Sequence, residues 1–336
     1  MVQTTFTSQA YESIKRVTKK EKFLTEMEQI VPWQLLLDKI APYYHAGQTC
    51  GRRPRDLLLM LKMYLLSLWY HLADEACEDE CYSCLPFQKF MGVNLLGNET
   101  VPDATTLENF RHLIEEHNLA DEIQATILEM LDDKGFIMHG GTITDATIVI
   151  ASSSTKNKDK QRDPDMKSTK KGSNYYFGSK IHTGVDAGSG AIVNSTVTAA
   201  NEADITQAVH NYRVDDDVRY GDAGFTGVDK RPEIALSDTF NSTKRTNAEV
   251  EYRTSKRPKS CTEKHKNSND INWEEHIESR KASVRGKVEY PFYVLKRIFG
   301  INRCIYRGLA KNTSRFTMGL ALVNLYMFRH RLAANG

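Results

Sequence analysis

Three carboxylates in this chain stand where a cation would explain them. Asp145 lies inside GTITDATIVI, a β-branched, threonine-rich run that reads as a strand over Thr142–Ile150. A charge in such a run is costly to bury unless it is paired or binds a metal. Asp222 closes the short strand-like run VRYGD, with Gly224 just beyond, so its side chain can stand at a strand end. Glu289 sits in the helical stretch SVRGKVEYPFYVLKRIFG. Ligands gather at the carboxyl ends of sheet strands, and a helix beside the sheet can bring a third oxygen donor. Carboxylates suit magnesium or manganese, hard ions with oxygen ligands. Two such ions about 3.5–4 Å apart would activate water or a 3′-hydroxyl for in-line displacement at phosphorus. Each residue alone has a plainer explanation. Asp222 before a glycine fits ordinary turn chemistry, and Glu289 can pair with Arg285 at i, i+4.

Around these acids lie cations suited to phosphate. Arg285, Glu289 and Lys296 are spaced i, i+4 and i+11, roughly one helix face, as a carboxylate flanked by positive charge over a DNA backbone would be. NYYFGSKIH mixes Tyr175 and Tyr176 with Lys180 and His182, side chains able to stack on bases and bond phosphates. Half-buried strand residues explain that mixture equally well. Lys170 and Lys171 end a lysine-rich polar stretch, ASSSTKNKDKQRDPDMKSTKKGSN, read as a loop. Nearer the N-terminus, Arg52, Arg53, Arg55 and Arg111 offer partial DNA contact. Cys77, Cys81 and Cys84 form C-x3-C-x2-C, but zinc sites favour four ligands in paired spacing, so they read as buried or incidental thiols.

The elements that must position these residues change character at Gly135. From Glu12 to Asp133 the periodicity is helical. Leu58, Leu61, Leu65, Leu68 and Leu72 recur near 3.6 spacing in a segment apolar on more than one face, as expected of a bundle's central helix, with Pro54 in its first turn. PDATTLENFRHLIEEH offers Asp103 or Thr105 as an N-cap, with an apolar face of Leu107, Phe110, Leu113 and Ile114. After Gly135, YYFGSKIHTGVD and AIVNSTVTAA read as a hairpin about the turn AGSG. A helix over Asp204–Val214 and the short strand before Asp222 follow. Residues 226–280 lack apolar periodicity and read as an insertion. Helical spacing returns in Val284, Val288, Phe292, Leu295 and Phe299, and a last helix is expected over Thr313–Leu332. The expected organisation is a helical domain over 1–135, for assembly or DNA end binding, then a catalytic domain over 136–336. Its element order fits a mixed sheet flanked by helices.

Composition bounds the class. With 336 residues, 40% hydrophobic and 26% charged, the chain is that of a globular protein. Its longest apolar stretch, Met318–Phe328, is interrupted by Asn324 and falls short of the roughly 20 residues of a membrane span. No apolar signal core lies in MVQTTFTSQAYESIKR, so a cytoplasmic location and no membrane partner are expected. Six cysteines are too few for a disulfide scaffold. The net charge of +2 conceals an asymmetry: residues 1–135 hold 13 Lys+Arg against 21 Asp+Glu, the remainder 32 against 22. A basic half favours a nucleic-acid partner through counterion release, although surface solubility also accounts for it.

Taken in order, EKFLTEMEQIVPW, GRRPRDLLLML, VPDATTLENFRHLIEEHNLA, GTITDATIVIASSSTKNKDKQRDPDM, KKGSNYYFGSKIHTGVD, TAANEAD, GDAGFTG and SVRGKVEYPFYVLKRIFG span nearly the whole chain. Together they resemble the insertion-sequence-five family of bacterial transposases. That resemblance implies a ribonuclease-H-like α/β catalytic domain, with an insertion before the last catalytic helix. It implies a DDE triad of Asp145, Asp222 and Glu289 and an R-x3-E-x6-K signature on Arg285, Glu289 and Lys296. The family's tyrosine three residues before the arginine is replaced by Ala282. The implied activity is cleavage of double-stranded DNA at terminal inverted repeats and joining to a target. Magnesium or manganese would be the cofactor, two ions in number, and the enzyme a homodimer or higher oligomer holding two ends. Two other functions fit the same residues: a DNA-binding regulator without chemistry, and a general nuclease of the same fold.

Overall fold

A computed structural model describes residues 16–44, 54–95, 99–158, 160–247, 249–256 and 273–334. They fall into two compact units, residues 1–123 with 325–336, and residues 124–324. No described helix is long and apolar enough to cross a membrane.

Helices come first: α1 (Lys19–Ile30), α2 (Trp33–Tyr44), α3 (Leu57–Trp69), α4 (Asp74–Ser83), α5 (Leu85–Met91), α6 (Ala104–Glu116) and α7 (Leu119–Asp133). In α3 every residue from Met60 to Trp69 is buried, which is where a helix apolar all round must go. It packs against α2, α4, α5 and α6. Trp69 meets Phe23 edge-on at 5.5 Å and Phe90 at 5.7 Å. Each leucine or phenylalanine fully buried in this way contributes about 1.5–3 kcal/mol. Asp56 caps α3 by accepting from the Leu59 amide at 2.9 Å, so Pro54 precedes the helix rather than sitting in its first turn. Of the two caps expected for α6, Asp103 takes the role, accepting from the Thr106 amide at 2.7 Å. Cys77 and Cys81 are buried, Cys84 is half-buried, and all three are free thiols.

Two cations lie inside this unit. Lys62 donates to Glu28 Oε1 at 2.8 Å and to the Phe90 carbonyl at 2.9 Å. Arg111, expected as a DNA contact, has a side chain only 4% exposed. It bonds Glu115 at 2.7 Å and Asp74 at 3.2 Å, so its fork of donors is spent on the fold.

The second unit is built on a six-stranded mixed sheet of β1 (Thr142–Ile150), β2 (Lys167–Lys171), β3 (Asn174–Asp186), β4 (Ile192–Ala199), β5 (Val218–Gly221) and β6 (Glu251–Thr254). The order is β2-β3-β1-β5-β6, and β4 pairs the same edge of β3 as β2, farther along the strand. The expected hairpin is β3 with β4, antiparallel. β1 is central, antiparallel to β3 and parallel to β5. At Gly184 on β3 a Cβ would fall 1.9 Å from the Asn211 carbonyl, so only glycine lets the short helix α8 (Ala208–Asn211) lie against the strand. The expected helix over Asp204–Val214 is a 3-10 turn, Asp204–Gln207, followed by α8.

Within residues 226–280, α9 (Pro232–Asn241) and β6 are ordered, and β6 extends the sheet in parallel with β5. Arg219 of β5 is buried, donating to Asp238 at 2.6 Å and to the Tyr252 hydroxyl at 2.7 Å, with its guanidinium 4.5 Å from the Tyr212 ring. Beyond come α10 (Trp273–Arg285), a 3-10 turn Gly286–Val288, α11 (Glu289–Tyr293), a π turn Val294–Ile298 and α12 (Leu309–Ala334). The expected single helix over 283–299 is therefore three kinds of turn, which nevertheless bury Val288, Leu295 and Phe299. Asn324, which breaks the apolar run of α12, is buried and bonds both the amide and the carbonyl of Ile192. The polar stretch after β1 is anchored: Asp163 accepts from Gly308 N at 2.7 Å and Asp165 from Leu309 N at 3.1 Å, at the start of α12.

Candidate active site

Asp145 occupies the middle of the central strand, half-buried, and its Oδ1 accepts from the Ala146 amide at 2.7 Å. Its carboxyl is pushed up to about 6, chiefly by burial and further by the negative charge of Asp222. The Arg285 guanidinium pulls it down and Asp204 adds to the upward push. Asp222 follows β5 directly and caps the turn Ala223–Phe225 through its bond from Gly224 N at 2.8 Å. The turn chemistry is thus real, and the position is still distinctive. The parallel register sets Thr142 against Arg219 and Ile143 against Tyr220. Carried two residues on, it brings Asp145 level with Asp222.

Glu289 is exposed and opens α11, just after the 3-10 turn that packs on β1. It forms no hydrogen bond or ion pair with the described residues, so the expected i, i+4 pairing with Arg285 is not made. Arg285 reaches Ser255 Oγ at 3.4 Å instead. Two of the three expected carboxylates are therefore neighbours, and Glu289 is not gathered with them. Among the described residues no group of three or more His, Cys, Asp or Glu converges as a metal cage.

The expected DNA contacts sort differently. Lys296 turns inward and donates to the Ile148 carbonyl of β1 at 2.5 Å. Burial pushes its ammonium down to about 8, with Lys171 adding repulsion. It pins the helical segment to the central strand instead of facing a phosphate. Lys180 donates to Asp204 Oδ1 at 3.0 Å and to the Glu202 carbonyl at 2.7 Å. His182 is 1% exposed, with Nε2 2.8 Å from Thr198 Oγ1 and Nδ1 3.5 Å from Asp204. Burial pushes its ring down to about 4. The imidazole therefore lies buried among protein groups. Lys170 and Lys171 do remain exposed on β2, Lys170 lying 5.6 Å from the ring of Tyr175, itself 74% exposed. Arg55 donates to Thr100 at 2.8 Å. Arg52 and Arg53 lie outside the described residues.

The Asp145–Asp222 pair has the features of an incomplete cation site. Two like charges adjoin in a half-buried setting that favours neutralisation. Thr183, opposite Asp145 in the β1–β3 register, is fully buried, and its hydroxyl has no hydrogen-bond partner among the described residues. The donors are hard oxygens, as magnesium or manganese prefers. Asp204 is the residue that the sequence did not single out. Its only signal was membership of the segment TAANEAD.

Residues 138–325 match the family model for the Transposase DDE domain, and residues 12–113 match the model for a Transposase domain (DUF772). No solved structure matches the chain.

Proposed function

This chain belongs to the DDE transposases, metal-dependent enzymes of DNA cleavage and strand transfer, and we propose that Asp145, Asp222 and Glu289 are its catalytic carboxylates. On this reading the enzyme cleaves at the terminal inverted repeats of an insertion sequence and joins the ends to target DNA. The observation that carries it is the register that brings Asp145 level with Asp222 beside a central strand. Those two residues would hold the divalent cations, magnesium or manganese and two in number. When bound, such ions activate the attacking oxygen and stabilise the leaving one.

The rest falls to the protein's own groups. β1, paired on both sides, fixes Asp145. Lys296 ties the helical segment to β1 and so limits where Glu289 can go. Arg285, whose charge already reaches Asp145, is placed to face a phosphate there. Lys170, Lys171 and Tyr175 offer an exposed basic and aromatic surface for duplex DNA. The helical N-terminal domain, residues 1–135, serves assembly or end binding, and residues 136–336 the chemistry. Holding two ends calls for a homodimer or higher oligomer, working in the bacterial cytoplasm. The motifs shared with the insertion-sequence-five family support placing the chain there.

The test is a cleavage assay on DNA carrying the element's ends, run with magnesium, with EDTA, and with Asp145→Ala. Magnesium-dependent nicks at the element boundaries, absent from both controls while Asp145→Ala still binds DNA, are the expected result. Nicking retained by clean Asp145→Ala would sink the assignment, and tight end binding without cleavage under either metal would mark a regulator.

A further inference from the structure

Lys180 grips the carboxylate of Asp204, with His182 Nδ1 3.5 Å away, and its location gives that grip a purpose. The 3-10 turn that Asp204 opens packs against the turn Ala223–Phe225, which Asp222 caps. His182 stands opposite Ala146, the residue after Asp145, in the β1–β3 register. Asp204 thus reaches the Asp145–Asp222 pair from a third element. We propose that Asp204 is a positioning residue for the cation site, its negative charge held beside Asp145 and Asp222 by Lys180. This inference rests on the assignment of Asp145 and Asp222 above.

Two observations favour this over an ordinary ion pair. Exposed pairs hold their partners loosely, whereas Lys180 is 12% exposed, so the sheet fixes the donor. Only Oδ1 of Asp204 is engaged: Oδ2 accepts no hydrogen bond from the described residues, and the side chain is 41% exposed. A third negative charge destabilises an empty pair and strengthens a filled one. Carboxylates outside the ligand set act in this way on bound metals, by orienting ligands and by field.

The test is manganese binding to the full-length protein without DNA, read from the electron paramagnetic resonance of free Mn²⁺. Asp204→Asn, Asp204→Glu and Asp145→Asn are compared with wild type, and melting in EDTA reports the fold. Asp204→Asn is expected to bind Mn²⁺ about 10-fold more weakly, the lower end for lost outer partners, with its melting in EDTA unchanged. Asp204→Glu, which keeps the charge, should recover most of the affinity. Wild-type affinity in Asp204→Asn overturns the proposal. Should that variant melt early, Asp204→Glu decides: restored Mn²⁺ affinity supports the role of charge, and affinity as weak as that of Asp204→Asn refutes it. Undiminished binding by Asp145→Asn would instead overturn the parent assignment.

Discussion

Lys62 and Arg111 in the helical unit, and Asp145 and Lys296 in the sheet unit, are all charges withdrawn from water, but their surroundings differ in kind. Lys62 meets Glu28, and Arg111 meets Asp74 and Glu115, so each cation has an anion within 3.2 Å. Asp145 has Asp222 for a neighbour and Lys296 has Lys171, like beside like in both cases. The first arrangement is complete within the chain. At the Asp145–Asp222 pair the arrangement is complete only when something of the opposite sign arrives, and such perturbed groups gather where proteins do chemistry. The helical unit therefore shows how burial is made tolerable, and the sheet unit shows where it has been left to a partner.

The comparison breaks most visibly at Arg111. Arg111→Ala strands Asp74 and Glu115 and should cost about 3 kcal/mol in urea unfolding, while cleavage per folded molecule persists. A loss near zero would mean the ion cluster is ornamental and the contrast void. Asp145→Asn tests the other side, in EDTA. Its carboxyl is raised from 3.8 to about 6, so the folded state favours the protonated form. The contribution of Asp145 to stability is thus fully present below pH 4 and lost as pH rises through 6. The asparagine variant should melt above wild type at pH 7.5, with the gap closing toward pH 4. An unchanging gap would show that Asp145 is not strained by its charge. Lys296→Met tests the same side with the opposite sign. An ammonium depressed from 10.5 to about 8 makes the wild type gain stability as pH climbs from 8 toward 10.5, a gain the variant lacks. Parallel melting curves for the two proteins across that range would contradict it.

How much of this could be read from residues alone follows from the range of the forces involved. β1 was legible to its ends, Thr142 and Ile150, because a long central strand announces itself in β-branched composition. The buried run of α3 was legible because its leucines recur at helical spacing on more than one face. β6 was not. EYRT has one apolar residue, and what holds it is pairing to β5 and the bond from Tyr252 to Asp238 at 2.6 Å, neither of which a local pattern encodes. Arg111 was misplaced because a helical wheel cannot say that Asp74 lies across from it. Lys180 and His182 were assigned to DNA because Asp204, more than 20 residues along the chain, had no reason to be near them. Asp145 stood out as too polar for its strand, whereas Asp222 at its strand end also fitted ordinary turn chemistry, and only the β1–β5 register sets the two level.

The π turn at Val294–Ile298, closed by the bond from Phe299 N to the Val294 carbonyl at 3.0 Å, holds one residue more than an α turn would. An α-helix advances about 100° per residue, so a single deletion ahead of Lys296 would swing Glu289 roughly that far about the axis while Lys296 stayed hooked to β1. The aim of Glu289 is in this sense a matter of counting. A change of length by one between Glu289 and Lys296 therefore turns the carboxylate to another side of the helical segment.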